Sequence, residues 1–170
     1  PYLRPTQAYV ADFTVAAGGT LALEIPNFGD SALETEYPQI FTDTADITGG
    51  FIEVRPSVVG GLFDDEYFYD NVIDANTLTG TFADAYSVGT IFLDVEAIYD
   101  ADDNVDLGIT RVPFDDPRFN LTPNQEAAAG AIEAEYAPTL TGDYAALNIE
   151  LLGFVDPGAY AGALSTLHGA

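Results

Sequence analysis

The stretch RFNLTPNQEAAAGAIEAEY, Arg118 to Tyr136, divides the chain in two. Before it, short runs of aromatic and β-branched residues alternate with turn formers. After it, alanines and leucines recur at helical spacing. Thr122 has the side chain of an N-cap, and Pro123 suits the first helical position, where a missing N–H costs nothing. Gln125 falls three residues past the cap, which completes the capping-box pattern T-x-x-Q. Ala128, Ile132 and Tyr136 follow at i, i+4 and i+8, on one face of a helix. Two further helices are expected. One runs from Asp143 to about Leu152. The other is capped by Asp156, with Pro157 at its first position, Tyr160, Leu164 and Leu167 on one stripe, and a stop at Gly169.

Upstream of Arg118 the pattern is that of strands. Ala8 to Val15 and Thr20 to Ile25 flank the breaker Gly18-Gly19, and Leu21, Leu23 and Ile25 share the face that belongs to a core. Further strands are expected at Gln39–Phe41, Gly50–Val59, Tyr67–Ile73, Leu78–Phe82, Thr90–Ile98 and Val105–Val112, with Leu78–Phe82 and Thr90–Ile98 able to pair. Phe82, Ile91, Leu93 and Val95 would supply that pair with apolar area. Gly, Asn, Asp or Pro punctuates each gap, which predicts a mainly β body that is a sandwich or a stacked solenoid. No internal repeat of fixed length is legible, so periodicity does not decide between them. The division expected is a β-rich part over 1–117 and a helical part over 118–170.

Composition bounds the function. The 170 residues suffice for a real core, and 48% hydrophobic content argues against disorder despite a net charge of −24. There are 28 acidic residues against four basic ones, all arginine. Such a surface repels phosphate backbones, so no nucleic-acid partner is expected, and it offers nothing to an anionic membrane surface. With no cysteine, disulfides, thiolate metal sites and cysteine nucleophiles do not arise. No apolar run reaches transmembrane length. The chain begins at Pro1 and contains no methionine, so it is expected to be part of a longer precursor.

Several segments, in order, resemble one family. LTPNQEAAAGAIEA (Leu121–Ala134) looks like the sequence that closes the passenger region of bacterial autotransporters, the type V secretion proteins, where Leu-Thr-Pro-Asn-Gln introduces alanine-rich helices. YDNVIDANTLTGTFADAYSVGTIFLDVEAIYDADDNVDLGITRVPF (Tyr69–Phe114) resembles the passenger segment upstream of that junction. AAGGTLALEI (Ala16–Ile25) resembles a strand–turn–strand of the last β-helix rungs, and ALSTLHGA (Ala163–Ala170) the leucine-rich helix before the membrane barrel. The resemblance spans about Phe13 to Ala170. It departs from the family at Leu167-His168-Gly169, where LSGE is common, and in lacking lysine.

The resemblance implies the end of a β-solenoid followed by helices, in the C-terminal part of a secreted passenger at the surface of a Gram-negative bacterium. Its partners would be the upstream passenger and the downstream barrel of the same precursor, and its role would be non-catalytic: to cap the β-helix and assist its folding outside the outer membrane. The other reading is an adhesive or surface-layer module that binds a neighbouring surface protein or calcium. A chain without disulfides suits passage through a pore, and its acidity opposes early collapse. Acidity also fits a salty habitat or plain extracellular solubility.

One motif has metal-ligand spacing. In DADDNVD, residues Asp100, Asp102, Asn104 and Asp106 alternate as oxygen ligands of a calcium loop do, but Val105 stands where such loops have Gly and the closing Glu is missing. The same residues also suit an acidic hairpin turn between Ile98 and Leu107. FDDEYFYDN (Phe63–Asn71) reads as a solvated loop tip. Catalysis has little to work with. His168 is the single histidine, and a Ser–His arrangement would need it held in place. No other cofactor is expected.

Overall fold

The computed structural model describes residues 7–25, 37–56 and 61–167. His168 and the end of the stretch expected as a strand to Val59 lie outside them.

The chain is laid down as strand–turn–strand layers. In the first layer β1 (Gln7–Thr14) leads through a glycine turn to β2 (Thr20–Ile25), and in the second β3 (Gln39–Asp46) leads to β4 (Phe51–Pro56). The third layer is β5 (Glu66–Ala75) with the short β6 (Leu78–Thr79), then β7 (Asp84–Ser87). Corresponding strands pair in parallel, Gln7 with Gln39, Ile40 with Ile73, Thr20 with Phe51 and Phe51 with Asp84, so one layer lies 31 to 33 residues from the next. The result is a sheet in the order β2-β4-β7 and a larger one in which β1, β3 and β5 are neighbours.

The turns stack as the strands do. The Val15 and Gly18 N–H groups donate to the carbonyls of Asp46 and Gly49, both at 2.9 Å, and those of Ile47 and Gly49 donate to Thr79 and Thr81, both at 3.0 Å. Each turn thereby satisfies backbone groups that no ladder reaches. Gly80, at φ 75°, has no room for a side chain: a Cβ there would stand 2.8 Å from the Cα of Thr48 in the layer above. Leu21, Leu23 and Ile25 point inward, as expected, and join Ile40, Ile52, Val54 and Ile73 in one buried cluster.

After β7 the parallel pattern stops. The hairpin of β8 (Leu93–Tyr99) and β9 (Asn104–Arg111) adds to the larger sheet antiparallel, β9 against β5, with a bulge between Tyr69 and Ile73. A short 3₁₀ turn (Pro117–Phe119) leads into α1 (Pro123–Ala134), α2 (Gly142–Leu152) and α3 (Pro157–Leu167). The capping residues are used: the Gln125 side-chain oxygen accepts from the Thr122 N–H at 2.8 Å and from its hydroxyl at 2.9 Å. The Gln125 amide also donates to the Ala161 carbonyl at 2.9 Å, which ties the start of α1 to α3. Asp156 caps α3 by accepting from the Ala159 N–H at 2.8 Å. Ile132, Leu151, Leu152, Tyr160 and Leu164 belong to the same buried cluster as the strands, so the helices pack on the β body.

Several expectations need correction. With three helices after the strands, the fold is mixed α and β, and mainly β describes it only loosely. The strand expected at Leu78–Phe82 breaks at Gly80, whose positive φ turns the chain, and Asp84–Ser87 forms a strand of its own. The expected pairing of Leu78–Phe82 with Thr90–Ile98 does not form. β6 pairs with β3 and β8 with β9, although the Phe82 N–H donates to the Tyr99 hydroxyl at 2.8 Å.

Gly80→Ala combines a left-handed φ with a backbone clash, and is expected to cost about 2 kcal/mol or more in urea denaturation. Gly89→Ala, also at positive φ but with nothing near its Cβ, should cost about 1 kcal/mol. Equal losses would mean that the turns are not in close contact.

Candidate functional site

Chemically dense groups gather where strand gives way to helix. On β9 the residues Val105, Leu107, Ile109 and Arg111 share the inward face, so the alternation that buries three apolar side chains also buries an arginine. Its guanidinium is met from α1 by Glu133 in a two-point ion pair, one arm at 3.0 Å. Its Nε donates to Asp65 at 3.2 Å, and its Cζ lies 4.0 Å from the centre of the Tyr136 ring. Glu133 also accepts the Phe114 N–H at 2.9 Å. The Tyr136 hydroxyl donates to the Phe63 carbonyl at 2.6 Å and accepts from the Phe63 N–H at 2.8 Å.

Burial alone would raise the Glu133 carboxyl, but the hydrogen bonds and charge of Arg111, with the Phe114 N–H, outweigh it and hold the group below the usual carboxylate range. Burial pushes the Tyr136 phenol up to about 12, so it stays a neutral donor. Beside this knot lies an aromatic cluster. Phe92 stands 5.0 to 5.1 Å from Phe114, Phe119 and Tyr160, and the buried Tyr160 hydroxyl donates to the Phe114 carbonyl at 2.7 Å.

A groove of about 790 Å³ runs along β7 toward β8, with Asp84, Tyr86, Ile91 and Val155 among its lining residues. At its rim Arg118 grips Asp94 with two bonds of 2.6 and 2.8 Å and reaches Asp116 at 3.1 Å. The Ser87 hydroxyl is buried without a hydrogen-bond partner among the described residues.

The four oxygen-ligand candidates fall on the β8–β9 hairpin. Asp100 closes the turn by accepting the Asp102 and Asn104 N–H groups at 2.9 and 3.3 Å, with Asp103 at φ 63°. Asp102 is exposed. Asp106 instead points into the β5 bulge and accepts the Asn71 N–H at 2.7 Å, replacing a ladder acceptor that the bulge removes. The structure thus places Asp106 near Asp100 and near Asp70, which the sequence did not single out. The side-chain oxygens of Asn71 and Asn104 are buried without partners among the described residues. Among the described residues, no group of three or more acidic, His or Cys side chains is arranged to hold a metal ion.

The sequence reading missed the Arg111–Glu133 knot. Its one legible sign was an arginine in phase with Val105, Leu107 and Ile109. The spacing puts Tyr136 on one face of a helix that in the structure ends at Ala134, and shows nothing of its partner.

Glu133→Gln removes the charge that Arg111 was buried against, and is expected to cost about 3 kcal/mol at neutral pH. Because the Glu133 pKa is depressed on folding, its contribution is present above the unfolded carboxylate value and is lost as pH falls through the folded one. The difference between parent and variant should therefore shrink in acid melts.

Asp106 has the opposite sign. Burial, aided by Asp70 and Asp100 and opposed by the Asn71 N–H, raises its pKa. Ionising it costs stability as pH rises from the unfolded value through the folded one. Asp106→Asn should leave the Tm at pH 7 unchanged or higher and flatten that part of the profile. A calcium-dependent rise in Tm that this variant abolishes would instead assign the loop to the metal.

The chain matches no family model, no curated protein and no solved structure with which it was compared.

Proposed function

We propose that this chain is the non-catalytic closing part of a stacked β-solenoid, the C-terminal end of a secreted autotransporter passenger at the outer surface of a Gram-negative bacterium. There it caps the stack and assists its folding, with further layers upstream and a translocator barrel downstream in the same precursor. One observation carries the reading. Layers 31 to 33 residues apart stack in parallel, and the stack then ends in an antiparallel hairpin under docked helices rather than in another parallel layer. A growing parallel stack exposes an open edge at each end, and a terminal unit of different design protects one of them. The order of the segments that resemble the autotransporter junction supports the same reading. The hairpin is also the part able to form early, because its strands are close in sequence and closing a short loop costs little entropy.

The test is surface display. With the chain placed between a passenger stack and a translocator barrel, deleting β8 and β9 should leave the barrel inserted while the displayed passenger becomes protease-sensitive. Equal resistance with and without the hairpin would reduce the segment to a passive spacer.

A further inference from the structure

We propose that the outer edge of β1 is a register-specific docking edge for a parallel strand–turn–strand layer. That layer would carry an aromatic residue opposite Tyr9, an amide opposite Gln7 and a hydroxyl or amide donor opposite Asp12. The inference rests on reading the chain as the end of a longer stack, whose upstream layers would supply the strand.

Among the described residues β1 pairs on one side only, with β3. The side chains on that side form ladders. The Gln7 amide donates to the Gln39 amide oxygen at 3.2 Å, the Tyr9 ring stacks on Phe41 at 4.9 Å and 14°, and the Thr44 hydroxyl donates to Asp12 at 2.7 Å. Each ladder is complete toward β3 and, among the described residues, has no partner on the other side. Tyr9 is 72% exposed and Val10 42% exposed, whereas their register partners on β3 are the half-buried Phe41 and the buried Thr42. A large aromatic surface left bare next to a stacked partner is the kind of exposure that marks an interface.

The turn repeats the pattern in backbone. The Val15 N–H donates to the Asp46 carbonyl, and Thr14 is the register partner of Asp46. The Thr14 carbonyl therefore stands where an N–H from a preceding layer would donate. Register is what the side-chain ladders decide. A slip of one residue would turn the incoming strand's side chains to the wrong faces and leave the Tyr9 ring without a flat neighbour. Asp12 sets the charge rule, since a carboxylate opposite it would be repelled while a donor would be held.

The chain can be asked directly by extending it with one more layer, a copy of residues 7–38 placed before residue 7 and carrying Asp12→Thr in the copy, so that a hydroxyl faces the original Asp12 as Thr44 does from β3. The copy then stands 32 residues upstream, the observed spacing of β1 and β3. Hydrogen exchange of the β1 amides that face away from β3 should slow about tenfold or more relative to the parent chain, and the Tm should rise. Tyr9→Asp in the original layer should remove most of that gain, beyond the loss that the same substitution causes in the unextended chain, where it removes only the stack on Phe41. Unchanged β1 exchange in the extended chain would overturn the proposal. So would an extended chain that fails to fold, or outward-facing β1 amides already protected in the parent. If stacking succeeds but surface display is indifferent to the hairpin, the secretion reading falls and the docking edge stands.

Discussion

A buried arginine obliges the rest of this structure to meet it. Arg111 reaches the interior because β9 alternates, and a guanidinium there is tolerable only if its charge and donors are matched. Asp65 meets it from the start of the third layer, Glu133 from α1, and Tyr136 lies against its face. Glu133 also takes the Phe114 N–H, and Tyr136 takes both backbone groups of Phe63. Through these contacts one side chain fixes where α1 lies, how the chain leaves β9 and how the segment before β5 is held. A pair of this kind adds little stability over an apolar substitute, but breaking it is costly, so it selects one arrangement among several that would bury similar area.

The layers obey a second constraint, which is backbone proximity. Parallel strands stack at a fixed distance, so the turns between them must also stack, and each must leave room for the next. Gly80 and Thr48 show how closely they approach. The same closeness lets turn N–H groups find carbonyls in the neighbouring layer. In β5 the spacing is broken by a bulge, and Asp106 from β9 supplies the acceptor that the ladder loses. The most suggestive acidic motif thus divides into a turn-closing residue, Asp100, and a bulge-filling one, Asp106.

With a net charge of −24, the chain has few cations to place. Two of its four arginines serve the strand-to-helix junction, Arg111 inside it and Arg118 across its surface from β8 to the 3₁₀ turn. Elsewhere the excess of carboxylates repels itself, which opposes association and loosens contacts not otherwise held. The ion pairs of Arg111 and Arg118 tie the last strands to the helices where the two kinds of secondary structure must be joined.

What the sequence determined by itself was local. The change from strand to helix, the use of Thr122, Pro123 and Gln125 at the start of α1, the cap at Asp156 and the inward face of Leu21, Leu23 and Ile25 follow from torsional preference and from periods of 2 and about 3.6 residues. Tertiary structure decided what depends on residues far apart along the chain. The stacking of layers was hidden because its spacing drifts between 31 and 33 residues, so no fixed period could be read. The break at Gly80 and the choice of β3 and β9 as partners for β6 and β8 are set by neighbours in other layers. Burial of Arg111 could be suspected from its phase, but the carboxylates that permit it lie 46 and 22 residues away. No local rule reaches that far, because such contacts are selected by the energy of the whole packed arrangement.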